Sequence, residues 1–320
     1  MNSSLKNKKI LVVGATGFIG TNLVKELVKK GALVSLLVRS KKNLNFFLEL
    51  DVKYFLGDLL DYKSLVRASR GIDIVFNASG ALPYHNLSEE EYWKVNVDGV
   101  ENLMKGCLVN KVQRVVHVST VGIYGNVANN VGEDGVPNPS DVYSKSKLAG
   151  EEVVKKYMRN GLESVIVRPT IAYGPHDTRP VILTLFRMIR KRIYVQIGNG
   201  RNYFHTVYVD NLVDVLILAA IKKKAANEDF IVGDDPCPTF LQFSISVAAA
   251  MKTNLPDFYI PKILADVTVG ILFKKKVDFV TDIKRYKTGK VRRLLGYSPK
   301  VDLKEGVERT FEWYKTQKLV

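Results

Sequence analysis

The sequence predicts an α/β fold: a doubly wound parallel sheet with a smaller C-terminal lobe. Three observations predict it. Apolar, β-branched runs alternate with helix-periodic stretches through the first half of the chain, the pattern of a parallel sheet covered on both faces. A glycine turn, Gly14-Ala-Thr-Gly17-Phe-Ile-Gly20, joins the first run to the first helix. After Pro175 the alternation becomes irregular, which marks the second lobe.

The elements follow in order. Ile10–Val13 reads as the first strand, and Phe18, Ile19, Leu23, Val24, Leu27 and Val28 recur with helical period. Gly14 permits a tight turn. Gly17 lets backbone approach a pyrophosphate, and Gly20 lets the helix pack close to the strand. The helix start offers N–H groups and partial positive charge to an anion. Thr16, Phe18 and Ile19 lie in the same turn and join the glycines as candidate cofactor contacts. Without a ligand the pattern is a tight turn only. Leu33–Val38, Val52–Leu56, Ile72–Phe76, Val112–Val118 and Ser164–Val167 read as further strands. Glu89–Asn110 and Val142–Arg159 read as helices. Residues 1–174 are expected to form a dinucleotide-binding domain that also receives 207–236. Residues 175–206 and 237–320 are expected to form the substrate lobe.

Composition limits the function classes. The chain has 320 residues, 46% of them hydrophobic, enough for a large core. No apolar run reaches the roughly 18 to 20 residues that span a bilayer. Val215–Ile221 and Val267–Phe273 read as buried helix segments. Met1–Lys9 contains no apolar signal core. Cys107 and Cys237 form no metal spacing, so no metal is expected, and a reducing cytoplasm is. The net charge of +16 suits an anionic substrate, nucleic acid or an acidic membrane surface, or is a solvated lysine-rich surface. The lysines are scattered and no nucleic-acid motif accompanies them, so the solvated surface is favoured and no nucleic-acid partner is expected. The densest cluster comprises Lys274, Lys275, Lys276, Lys284, Arg285, Lys287, Lys290, Arg292 and Arg293. The expected partner is a small-molecule substrate, with a homodimer as a further possibility.

In a sheet of this type the ligand lies beyond the carboxyl ends of the strands. Arg39-Ser-Lys41-Lys42 follows the second strand, where an acid would hold a ribose 2′-hydroxyl. No acid is present. Arg39 suits a 2′-phosphate instead, which favours NADP over NAD; its alternative is an exposed loop charge stacking on adenine. Asp58 follows the third strand beside Leu59, as an adenine contact or as the cap of the helix beginning near Tyr62. Ala78, Ser79 and Gly80 follow the fourth and are small enough to let backbone approach a cofactor.

Ser119-Thr120 follows the fifth strand, and Tyr143-Ser-Lys-Ser-Lys147 comes later. Tyr143 and Lys147 share one helix face. A tyrosine is a poor base at neutral pH, with an ordinary pKa of about 10. A nearby ammonium is expected to lower that value, so that Tyr143 exchanges a proton with a substrate hydroxyl or carbonyl. Lys147 would also hold a nicotinamide ribose, and Thr120 would hydrogen-bond the reacting oxygen.

These residues make the chain similar to extended short-chain dehydrogenases/reductases of the NAD-dependent epimerase/dehydratase family. The likeness spans Gly14–Gly20, Asp58, Asn96, Thr120, Tyr143, Lys147, Arg168-Pro169 and Tyr208-Val-Asp210-Asn211. It extends to Leu295-Gly-Tyr-Ser-Pro299, Glu305-Gly306 and Trp313-Tyr314. The resemblance implies a Rossmann-type cofactor domain and a C-terminal substrate lobe. It implies that Asn96 supports the active-site helix and that Pro169 borders the nicotinamide. The family's dehydratases carry Asp-Glu after the catalytic threonine; Val121-Gly122 stands here, against dehydration. Its nucleotide-sugar epimerases carry a pyrophosphate-binding arginine where this chain has Phe204, with Arg201 three residues away. The chain is closer to the 3β-hydroxysteroid dehydrogenase and dihydroflavonol-reductase branch. Tyr203 and Phe204 suit a less polar substrate or core packing, and His205 reads as a structural residue.

The leading expectation is an NAD(P)-dependent oxidoreductase acting on a secondary alcohol or ketone. A nucleotide-sugar epimerase is the alternative, and a non-catalytic dinucleotide-binding protein the third reading.

Overall fold

The computed structural model describes residues 5–125, 130–256, 259–261 and 285–320. Seven parallel strands form the main sheet. They are β1 (Lys9–Val13), β2 (Leu33–Val38), β3 (Val52–Leu56), β4 (Ile74–Asn77), β5 (Arg114–Val118), β6 (Ser164–Pro169) and, later in the chain, Asp229–Val232. Their spatial order is Asp229–Val232, β6, β5, β4, β1, β2, β3. The order reverses between β1 and β4, so the crevice for a ligand opens at the carboxyl ends of those two strands.

Strand residues are buried because helices cover both faces. Ile10, Val12, Leu36 and Phe76 pack into one apolar cluster with the Phe18–Lys29 and Val209–Ile221 helices. Leu11, Val13, Val75 and Val115 pack into the opposite one with Leu65, Leu103 and Val154. The expected Ile72–Phe76 and Val112–Val118 runs start too early. Ile72 and Val112 are buried, but they precede strand pairing. Val215–Ile221 is the buried second half of the Val209–Ile221 helix. Val267–Phe273 and Lys274 to Lys284 lie outside the described residues. Among the described residues no helix is long and apolar enough to cross a membrane.

The expected Glu89–Asn110 helix is three pieces. An α-helical turn over Glu89–Trp93, capped by Ser88, leads into a π-helical turn over Lys94–Asp98 and then into the Gly99–Val109 helix. The π turn brings Asn96, 2% exposed, toward the neighbouring Val142–Arg159 helix. That helix starts where expected, because the Asp141 carboxylate accepts the Ser144 N–H at 2.8 Å.

Two short strand pairs and three helices form the second part of the described chain. Ile171–Tyr173 pairs with Thr206–Tyr208, and Gln196–Ile197 pairs with Tyr259–Ile260. The Pro180–Arg190, Phe240–Ala250 and Leu303–Thr316 helices close this part around Tyr173, Phe186, Phe243 and Tyr314. In the basic C-terminal cluster, Lys290 pairs with Glu228 and Asp229, and Arg292 pairs with Asp235.

Candidate active site and dinucleotide groove

The glycine turn has the backbone the sequence demanded. Gly14 has φ +80°, and a Cβ there would lie 2.6 Å from the Ala78 carbonyl carbon and the Ser79 nitrogen. The turn after β1 therefore touches the turn after β4, at the point where strand order reverses. A Cβ on Gly20 would lie 2.1 Å from the Gly14 oxygen. Gly17 is exposed. It starts the Phe18–Lys29 helix without any side-chain cap, so the first N–H groups face the crevice with no carboxylate or hydroxyl supplied by the protein. Close backbone and an uncapped helix start fit a dinucleotide diphosphate. Thr16, Phe18 and Ile19 are half-buried around this turn.

The other cofactor candidates line the same edge. Arg39 is exposed at the end of β2, as are Lys41 and Lys42; the Lys41 ammonium sits 5.5 Å from the centre of the Tyr54 ring. Asp58 accepts the Leu60 N–H at 2.9 Å. The cap of the Tyr62–Ser69 helix is Asp61, not Asp58, so the capping alternative for Asp58 is corrected. Leu59 is 8% exposed and packs against Gly99. Ala78, Ser79 and Gly80 are half-buried past β4, with the Ser79 hydroxyl donating to Asn77. Pro169 is buried at the end of β6.

Three elements deliver the reactive groups. Thr120 follows β5, where its Oγ1 accepts the Gly122 N–H at 3.0 Å. Tyr143 occupies the first turn of the Val142–Arg159 helix, with Thr120 as a polar neighbour of its phenol. Lys147 lies one turn later, 4% exposed, and its Nζ donates to the Val118 carbonyl at 2.8 Å. Asn96 fixes the arrangement: it accepts the Ala81 N–H at 2.9 Å and donates to the Ser146 hydroxyl at 2.9 Å. The loop after β4 and the Tyr143–Lys147 helix are thus tied through one amide.

The expected direction for Tyr143 needs correction. Burial pushes its phenol up to about 12, against a lowering hydrogen bond from Thr120; Tyr84 and Asp141 raise it and Arg179 lowers it. Lys147 is not among the causes; burial brings its own ammonium down to about 8, offset in part by Glu151, and it donates a hydrogen bond to the Val118 carbonyl. The polypeptide alone holds Tyr143 as a neutral phenol.

Sequence reasoning missed several neighbours. His117 on β5 is 1% exposed, and its Nδ1 lies 3.1 Å from the Asn77 amide nitrogen. Burial, then the Lys147 charge, hold His117 well below the usual histidine range. Tyr92 places its ring edge-on to Tyr143 at 6.5 Å. Tyr84, 41% exposed, and Arg179 complete the surroundings. His117 lies inside a strand, Tyr92 on the Glu89–Trp93 turn, and Tyr84 and Arg179 on connections, and no local spacing marks them as neighbours of Tyr143.

The substrate candidates divide. Phe204 is 3% exposed and meets Phe240 and Phe243 edge-on at 5.2 Å each. Its place is the aromatic core, which corrects its candidacy as a substrate contact. Tyr203 is half-buried beneath the Arg285 guanidinium at 5.2 Å. Arg201 is exposed. His205 is structural, as expected: its Nδ1 accepts the Tyr286 N–H at 3.1 Å, so Nε2 carries the proton toward the Asp234 carbonyl at 3.1 Å. Among the described residues no group of His, Cys, Asp and Glu could hold a metal ion.

The chain is similar to known proteins over nearly its whole length. The family model for the NAD dependent epimerase/dehydratase family matches residues 10–233. Sterol-4-alpha-carboxylate 3-dehydrogenase ERG26, decarboxylating, of Candida albicans is 30% identical, covering 98% of this chain and 99% of that protein. UDP-glucose 4-epimerase of Vibrio cholerae is 29% identical, covering 95% and 94%. The crystal structure of UDP-glucuronic acid 4-epimerase from Bacillus cereus in complex with NAD superposes with TM-score 0.80 at 23% identity, covering 97% and 99%. That last likeness concerns the fold. A family match across the sheet, the glycine turn and the Tyr143–Lys147 helix leads to one conclusion: the chain belongs to the NAD-dependent epimerase/dehydratase family, as an enzyme of the extended short-chain dehydrogenase/reductase type.

Proposed function

We propose an NADP-preferring oxidoreductase that interconverts a secondary alcohol and a ketone, with Thr120, Tyr143 and Lys147 as its catalytic residues. The observation that carries this reading is the phenol of Tyr143, beside Thr120 and one helical turn before buried Lys147. The glycine turn, Arg39, Asp58 and the loop after β4 would hold the dinucleotide, which supplies a hydride acceptor or donor when bound. Tyr143 would carry the proton to or from the substrate oxygen, and Thr120 would hold that oxygen in line by a hydrogen bond. Lys147 would hold the nicotinamide ribose.

Phe204 in the core supports the dehydrogenase reading over the nucleotide-sugar epimerase, because a buried phenyl ring cannot clamp a pyrophosphate. The sterol dehydrogenases among the relatives make a ring alcohol of sterol type the first substrate class to test. The site residues would divide between a cofactor domain of residues 1–174 with 207–236 and a substrate lobe made of the rest. A cytoplasmic location, with Cys107 and Cys237 as free thiols, and a homodimer complete the reading.

The test is turnover of sterols, flavonoid-like ketones and nucleotide sugars, followed by nicotinamide absorbance. Tyr143→Phe should lower turnover about a hundredfold or more and leave cofactor affinity nearly intact. Unchanged turnover would remove Tyr143 from the mechanism. Tight UDP binding without net cofactor turnover would instead select the epimerase.

A further inference from the structure

Arg179 stands where the Gly174–Arg179 turn meets the start of the Phe18–Lys29 helix. Its guanidinium lies 4.6 Å from the centre of the Phe18 ring, and Phe18 is the first residue after the uncapped Gly17. Two of its nitrogens are committed. Nε donates to Asp177 Oδ1 at 2.6 Å, and Nη2 donates to Asp177 Oδ2 at 3.0 Å and to the Ala172 carbonyl at 2.5 Å. Asp177 is fully buried. Neither contact uses Nη1. Tyr84, from the loop after β4, is an electrostatic neighbour of the guanidinium.

The turn itself is fastened to that helix. The Asn22 amide donates both to the Phe18 carbonyl and to the Pro175 carbonyl, each at 2.9 Å. Lys25 Nζ meets His176 Nε2 at 2.8 Å. A cation is therefore held, by a buried carboxylate behind it, close to the positive end of a helix. Such a cation gains from an anion placed between the two. The charged and titratable groups around it are Asp177 behind, Tyr84 and Tyr143 on the site side, and Tyr314 from the C-terminal helix.

We propose that Arg179 is a cofactor clamp: fixed by Asp177, it donates to the anionic diphosphate of the dinucleotide from beside Phe18 at the helix start, with Tyr84 of the loop after β4 as its neighbour. This rests on the dinucleotide reading of the groove. It assigns a side-chain donor to a moiety that NAD and NADP share, whereas Arg39 serves only the 2′-phosphate.

The probes are ADP-ribose, which has the diphosphate but no nicotinamide, and adenosine 2′-monophosphate, which has no diphosphate. Both are titrated into the full-length protein by calorimetry. Arg179→Lys keeps the charge facing Asp177 but loses the fork. Arg179→Met with Asp177→Asn removes the charge without stranding a buried carboxylate. The double variant should bind ADP-ribose about tenfold or more weakly, as expected for a lost charge-assisted hydrogen bond, with adenosine 2′-monophosphate unchanged. Arg179→Lys should show a smaller loss of the same kind and carries the test if the double variant does not fold. NADH and NADPH should weaken by equal factors. Wild-type binding with unchanged ADP-ribose affinity in the folded variants would overturn the clamp alone. Failure of the wild type to bind ADP-ribose would overturn the dinucleotide reading and the clamp with it.

Discussion

Arg168 holds the Val142–Arg159 helix to the sheet, and replacing it should have a cost readable from its partners. Its Nε and Nη2 grip both oxygens of Glu151, at 2.9 and 2.7 Å, and its Nη1 meets Asp229 and the Tyr124 hydroxyl, each at 2.8 Å. Arg168 is 3% exposed and Glu151 fully buried. Glu151 lies one turn beyond Lys147, so the pair fastens the Val142–Arg159 helix to β6. Arg168→Met strands a buried carboxylate, and breaking such a pair costs about 3 to 5 kcal/mol. Glu151→Gln leaves the guanidinium paired with Asp229, and the amide still accepts one hydrogen bond, so its cost should be about 1 to 3 kcal/mol. The double variant removes the stranded charge. It should be less destabilised than the sum of the singles, with a coupling of about 1 to 3 kcal/mol. Guanidinium unfolding followed by circular dichroism at pH 7 measures all four proteins. A cost below about 1 kcal/mol for Arg168→Met, or strict additivity in the cycle, would refute the claim that this pair anchors the helix.

Three further outcomes are expected. Wild type should bind NADPH more tightly than NADH, and Arg39→Ala should remove most of that preference, about tenfold or more, by nicotinamide fluorescence at low salt; equal wild-type affinities would place Arg39 outside the cofactor site. His205 is lowered from 6.5 to about 4 by burial, so between those pH values the unfolded chain binds the proton and the folded chain does not. Its contribution is intact above 6.5 and is lost as pH falls toward 4, about 3 kcal/mol in all. His205→Gln should shrink the stability difference between pH 7 and pH 4 by that amount in denaturant titrations, while His176, also lowered to about 4, keeps its own share. Gly20→Ala drives a Cβ into the Gly14 oxygen and the Ala15 Cα. It should cost about 1 to 3 kcal/mol and weaken cofactor binding, whereas Gly289→Ala, with open space around it, should do neither; equal melting and binding for both would contradict the close turn.

Much of the sheet could be read from local pattern. Leu33–Val38, Val52–Leu56 and the Val142–Arg159 helix have the ends that their residue patterns suggested. Local pattern could not show which strands become neighbours. Asp229–Val232 joins β6 from far along the chain, through contacts that leave no mark in its own residues. The grouping of Thr120, Tyr143 and Lys147 was legible because tyrosine and lysine at helical spacing are informative together. The direction of the Tyr143 shift was not, since it depends on how deeply the phenol is buried and on where the Lys147 ammonium points. Arg179 was missed for a similar reason: its meaning comes from Phe18 and Tyr84, which only folding brings near. Phe204 looked equally suited to a pocket wall and to a core until Phe240 and Phe243 closed around it.

The π-helical turn at Lys94–Asp98 makes this stretch sensitive to length. A π turn carries one residue more than an α turn over the same path. Deleting one residue there would restore regular α geometry over the same path and leave the following helix in phase. Gly99, Val100, Leu103, Met104 and Cys107, the buried side of that helix, would stay buried, and Gly99 would keep its close fit against Leu59. What such a deletion removes is the bulge itself, and the bulge carries Asn96 with its bonds to Ala81 and Ser146. Loss of one position between Trp93 and Gly99 would therefore spare the packing of the sheet and cut the tie between the loop after β4 and the Tyr143–Lys147 helix.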